Sequence, residues 1–243
     1  MAVSRYLENE PVHISAGRVL GTSSIHKFGA VPAMSQNQTG TIWDVNDTPY
    51  PWSAFDTAGV LTIPAVNAAD NGNVITVQGL DDNYNIVSED FTVSSAGTTT
   101  GTQVFKRVYR AFDNTGTNVD NINVQRGGTT VLRITAAKAQ TPMAIYTVPA
   151  GKVGFIVKGT ATVQASADAT VDMFVRYNGQ TSFRVGHSFE VSGAGGQYIY
   201  EFAAPIRIPE RSDIDVRARV RSNNARATAA FDIILIDKIL AGK

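Results

Sequence analysis

The chain has 243 residues, 43% of them hydrophobic and 17% charged, and its 21 basic residues are balanced by 21 acidic ones. It has no cysteine, which excludes disulfides, thiolate metal sites and a cysteine nucleophile. No stretch reaches the roughly 18 apolar residues of a membrane helix, and the N-terminus lacks the basic-then-apolar order of a signal peptide, so synthesis and folding in the cytoplasm are expected.

A chain this long suits two domains of roughly 100 to 120 residues, and its wealth of Thr, Ala, Asn, Val and Gly favours strands over helices. Residues 1–20 show no strand alternation, and neither does "NDTPYPWSAF" at 46–55. The first of these is expected to be an N-terminal arm that orders against a neighbour. Alternating polarity then predicts strands over 41–45, 59–63, 73–78, 86–93, 103–112, 120–125 and 130–135, separated by turn formers such as "NAADNGN", "DDNYN" and "RGGT". Short strands at this spacing predict a first β-sandwich domain over 21–137.

The small, polar seam "TAAKAQTP" at 135–142 reads as a linker. A second series follows at 143–148, 153–162, 170–177, 182–191, 197–202, 206–208, 214–220 and 228–236. Eight strands is the number of a jelly roll, so 138–243 is expected to be a second, jelly-roll-like sandwich. The predicted fold class is all-β, with two sandwiches in tandem behind the arm. No fixed-period repeat points to a solenoid or propeller.

Few residues point to chemistry. His13, His26 and His187 are scattered, without the i, i+2 or i, i+4 spacing of a ligand set, so neither a metal nor any other cofactor is expected. His187, in step with Phe183 and Val185, reads as a core-edge or interface residue. Asp81, Asn83 and Asn85 start like a calcium loop, but Ile86 stands where the turn needs glycine and Thr92 where a glutamate belongs; a plain β-turn explains them. There is no G-x-S-x-G elbow or phosphate-cradling glycine loop, and no carboxylate pair is singled out, so no catalysis is expected. Trp43, Tyr50 and Trp52 form an aromatic cluster with Phe55. Exposed, these rings would stack on a glycan or anchor a partner; buried, they would be core or hinge packing.

The charge is unevenly spread: residues 1–137 hold 8 basic and 12 acidic residues, a net of −4, and 138–243 hold 13 and 9, a net of +4. Opposite halves of two copies are thus expected to attract. In "IRIPERSDIDVRARV", residues 206–220, Ile214, Val216, Ala218 and Val220 alternate with Asp215, Arg217 and Arg219. A strand of this period buries the aliphatic face and turns the arginines outward. Arg176, Arg184, Arg207, Arg217, Arg219 and Arg221 are therefore candidates for an inter-subunit contact, for which bidentate guanidinium is suited. A solvated face is the alternative. Nucleic acid is not expected, because aromatic rings do not interleave with the arginines to stack bases.

Taken together, "MAIYTVPAGKVGFIVKG", "FRVGHSFEV" and "IRIPERSDIDVRARV…AAFDIILID" resemble the C-terminal β-sandwich of structural proteins of tailed bacteriophages. "VITVQGLDDNYNIVSEDFTVSSAGTTTGTQVFKRVYRAF" is similar to the companion domain of the same proteins, and the resemblance covers most of residues 59–237. Its motifs are strand and turn motifs without a catalytic residue. The resemblance implies a virion component with no enzymatic role that forms a homo-oligomer, with a trimer as the guess, and attaches to capsid or tail proteins. Decoration or head fibre is favoured over tail fibre or baseplate. The rival expectation is a carbohydrate-binding or host-receptor-binding protein.

Overall fold

The structure, a computed structural model, describes residues 10–164, 167–193 and 196–241. After a short helix α1 (Glu10–Ser15) come the strands β1 (Thr22–Met34), β2 (Thr39–Thr41), β3 (Thr62–Ile63), β4 (Val74–Leu80), β5 (Ile86–Thr92), β6 (Thr99–Thr100), β7 (Arg107–Asp113), β8 (Ile122–Arg126) and β9 (Thr129–Ile134). They continue as β10 (Ile145–Thr147), β11 (Lys152–Val163), β12 (Ala169–Arg176), β13 (Arg184–Val191), β14 (Gln197–Ile208), β15 (Asp213–Val220) and β16 (Ala225–Asp237). The chain is all-β, as its composition predicts.

Two sheets, ordered β1-β16-β11-β14 and β10-β15-β12-β13, face each other across one core. Their antiparallel partners are β1 with β16, β10 with β15, β11 with β14 and β12 with β13. Numbered along the sandwich, strand one pairs with eight, two with seven, three with six and four with five. That nesting is one long hairpin rolled over on itself, the topology of a jelly roll. Period-two burial drives it: Ala169, Val171, Met173 and Val175 of β12 and Ala227, Phe231, Ile233 and Leu235 of β16 point into the core while their neighbours do not.

The remaining sheets, β6-β3-β8-β9 and β5-β4-β7, enclose a second core that includes Leu61, Ile75, Phe91, Phe105 and Leu132. All seven of these strands lie between the first and second strands of the jelly roll. The organisation departs here from the expected tandem of 21–137 followed by 138–243. β1 belongs to the jelly roll, and β2 pairs with β15 beside β10. Eight strands make the nested pairs and β2 adds a ninth to their sheets, with a membership that differs from the expected one: the segments expected at 197–202 and 206–208 form the single strand β14, and β1 joins from the N-terminal side.

The reason β1 escapes a polarity reading is visible in its side chains. Its inward positions are Ile25, Lys27, Gly29 and Val31, so a lysine and a glycine stand where an apolar pattern needs large hydrophobes. Gly29 is required by the approach of the opposite sheet, since a Cβ there would lie 2.1 Å from the Ile42 carbonyl oxygen and 2.5 Å from the Ala144 nitrogen. Pro32 is tolerated because β1 is an edge strand with an irregular register between Val31 and Met34.

Of the expected arm, residues 1–9 lie outside the described residues, while α1 packs against β1 and buries Ile14. The seam at 135–142 is tied down rather than loose. The buried Asn118 side chain donates to the carbonyls of Ile134 and Thr135 and accepts from the Ala139 amide. Ala137 and Ala139 both take positive φ there, 61° and 56°.

Candidate functional site

The outer face of β15 answers the question its sequence poses. Ile214, Val216, Ala218 and Val220 do enter the core, but the opposite face is covered from Asp213 to Arg217 and reaches solvent only at Arg219. Asp215 is fully buried and accepts hydrogen bonds from the Thr41 hydroxyl at 2.7 Å, the Trp52 indole at 2.9 Å and the Arg217 guanidinium at 2.8 and 2.9 Å. Asp213, two residues earlier on the same face, accepts from Arg107 Nε at 2.8 Å, Arg176 at 2.6 and 2.9 Å and the Thr147 hydroxyl at 2.7 Å. Arg107 comes from β7 of the inserted body, so this cluster ties the two cores together. The pairing runs against the overall charge split: the cation belongs to the acidic half and the anion to the basic half.

Aromatic rings complete the junction. Trp43, Tyr50, Trp52 and Phe183 follow one another with centroids 5.1, 4.9 and 5.4 Å apart. Arg176 lies 5.3 Å from the Trp52 ring and 4.8 Å from Phe183, and Arg217 lies 4.5 Å from Phe174 and 5.0 Å from Phe183. Stacking of this kind is favourable for guanidinium and fixes its plane. Trp43, Tyr50 and Trp52 are 1%, 3% and 6% exposed, so the expectation of a sugar-stacking or partner-stacking platform is corrected. The rings are apolar mass between two bodies, and burial pushes the Tyr50 hydroxyl pKa upward.

The six candidate arginines thus divide. Arg176 and Arg217 are committed within the chain, and their expected outward position is corrected by the cover over β15. Arg184, Arg207, Arg219 and Arg221 are exposed. Arg221 reaches Glu190 at 3.7 Å across open surface, an arrangement worth little to stability. Arg184 and Arg207 sit on β13 and β14, the strands at the far edge of each sheet. Between those edges His187 lies among Phe189, Tyr198, Tyr200 and Phe202, with ring centroids 5.1 to 6.3 Å away. Val185, Ile199 and Tyr200 are exposed at the same edges. An unpaired edge with apolar side chains is a template for association, and Pro205 within β14 limits how far backbone pairing can run along it.

The Asp81 turn closes on itself: one carboxylate oxygen accepts from the amides of Asn83 at 2.9 Å and Asn85 at 2.8 Å. Among the described residues no group of three His, Asp or Glu side chains is placed to hold a metal. Among them also, no helix is long and apolar enough to cross a membrane.

Sequence reasoning missed the two aspartates as anchors and missed Lys27 altogether. The signal for the first was available, because Asp213, Asp215 and Arg217 are alternate residues and therefore neighbours on one strand face. Lys27 is 6% exposed, donates to the Tyr109 carbonyl and lies 5.9 Å from the Tyr109 ring. Burial, helped by the nearby Arg110 charge, lowers its pKa to about 7.

No protein-family model matches this sequence, and no curated protein matches it. Among solved structures it is similar to one titled "Structure of infectious bursal disease virus Gx strain", with a TM-score of 0.29 at 9% identity over 89% of this chain and 72% of that one. A second is "Crystal structure of infectious bursal disease virus VP2 subviral particle", with a TM-score of 0.23 at 9% identity over 89% of this chain and 71% of that one. Overlays this loose carry no argument about what this chain does.

Proposed function

We propose that this chain is a structural subunit of a virion, of the tailed-bacteriophage kind its motifs resemble. It associates with copies of itself and attaches to capsid or tail proteins, with decoration or head fibre favoured, and its work is assembly without catalysis. One observation carries the reading: the charged residues of the resembling motifs are used as architecture. Glu210 of "IPERSD" accepts from the Gly151 amide of "VPAGK" at 2.7 Å and pairs with Lys238 just beyond the closing strand. Lys152 pairs with Asp237, and Asp213 and Asp215 anchor the inserted body. A rim built this way fixes one sandwich end rigidly and leaves the β13 and β14 edges, with Arg184 and Arg207, as the surface on offer.

The test has two arms. Light scattering behind size exclusion is expected to show a defined oligomer that Arg184→Glu with Arg207→Glu dissociates; a monomer at high concentration in low salt would refute association. Imaging of the particle that carries the protein is expected to place it on the capsid or tail exterior in many copies. Absence from the particle would refute the virion role.

A further inference from the structure

A cavity of about 450 Å³ opens where β1 meets β7 and the seam. Lys27 and Arg110 supply cations to its wall, Gln78 and Gln140 supply amides, and Thr141 a hydroxyl, while Ile25 and Phe28 are apolar. Among the described residues no aspartate or glutamate lines it. The nearest carboxylate on β1's partner strand, Asp232, is taken by His26 at 2.5 Å. Arg110 is engaged by the neutral Gln140 at 3.2 Å and stacks on Phe112, with no carboxylate among the described residues. Lys27 is likewise without an ion pair among the described residues, and its amine, with three possible donors, gives one hydrogen bond to a carbonyl.

Buried cations in folded proteins are as a rule paired, because removing a charge from water is costly unless an opposite charge replaces the lost solvation. Here the buried Lys27 and the exposed Arg110 border one roomy hole, and among the described residues no carboxylate reaches it. We propose that this cavity binds a small oxyanion, a phosphate or a short organic carboxylate, against the Lys27 ammonium and the Arg110 guanidinium. Gln78, Gln140 and Thr141 supply neutral donors, and Phe28 and Ile25 accommodate an apolar substituent. A bound anion draws Lys27 back to its charged form, and so binding and protonation reinforce each other.

The experiment uses the full chain labelled with ¹³C at lysine Cε. The Lys27 titration is followed by NMR in sodium chloride, sodium phosphate and sodium acetate of equal ionic strength. The expected result is a midpoint raised by about one pH unit, a tenfold preference for the charged form, in phosphate, acetate or both. Whichever salt acts names the class of oxyanion. Arg110→Gln is expected to halve that shift or more while leaving Lys27 observable. In parallel, Lys27→Met is expected to lose the anion-dependent gain in melting temperature shown by the unaltered protein. Equal midpoints in all three salts, or an undiminished thermal gain in Lys27→Met, would overturn the proposal.

Discussion

Lys27 makes this protein lose stability as pH falls, in the same direction as acid-labile carboxylates but in a window near and above neutrality. Its pKa falls from 10.5 in the unfolded chain to about 7 in the fold, chiefly because burial disfavours the ammonium. A depressed pKa contributes stability that is present above the unfolded value and lost as pH falls through the folded one. At about 1.4 kcal/mol per tenfold, the full swing is about 5 kcal/mol, and the share falling between pH 6 and 9 is about 2 to 3 kcal/mol. The titratable and charged groups that share the cavity wall with Lys27 are Arg110, Tyr109 and His26. Lys27→Met keeps the chain length and removes the titration. Urea unfolding across that pH range, in buffers free of phosphate and carboxylate, should show the unaltered protein gaining stability relative to Lys27→Met as pH rises. Parallel curves would refute the reasoning, since a lysine that titrates near 10.5 in the fold contributes no such slope.

Charge reversal separates the committed arginines from the exposed ones: Arg217→Glu should destabilise by about 3 to 5 kcal/mol because it leaves Asp215 buried against a like charge, whereas Arg219→Glu should unfold at the same denaturant concentration as the parent. Trp52→Phe removes the indole donor to Asp215 and should cost about 1 to 3 kcal/mol, read from the fluorescence of Trp43 during unfolding. Gly29→Ala drives a methyl group into the Ile42 and Ala144 backbone and should cost about 3 kcal/mol or more, measured as a lowered melting temperature. Burial raises the Asp44 carboxyl to about 6 against the opposing hydrogen bond from Thr135, so stability present below the ordinary carboxylate range should be lost as pH rises through 6. Asn in place of Asp44 should flatten that loss of about 2 to 3 kcal/mol.

Strand period was legible wherever a single residue type filled each face. β12, β15 and β16 could be drawn from their aliphatic residues alone, and the cores of both bodies follow from them. What could not be read is what covers the second face of a strand. Asp215, Arg217 and Arg219 share the polar face of one alternating strand in sequence, yet the first is enclosed, the second largely enclosed and the third exposed. The aromatic cluster had the same ambiguity, since a tryptophan suits a sugar groove and a domain junction equally. Strand β1 was lost for a local reason: a close sheet approach demanded glycine and a cavity accommodated lysine, and both erased the alternation.

The last strand of the jelly roll, β16, is the middle of its sheet, with β1 on one side and β11 on the other. Its partner β1 is made some two hundred residues earlier, as the His26 and Asp232 contact across 206 positions shows. During translation the inserted body can finish folding while β1 waits, and loop closure between the two ends is the slow, non-local step. A copy that stops short of residue 225 bares two strand edges at once. Such a copy is prone to aggregate, and full-length synthesis is thereby coupled to entry into any larger assembly.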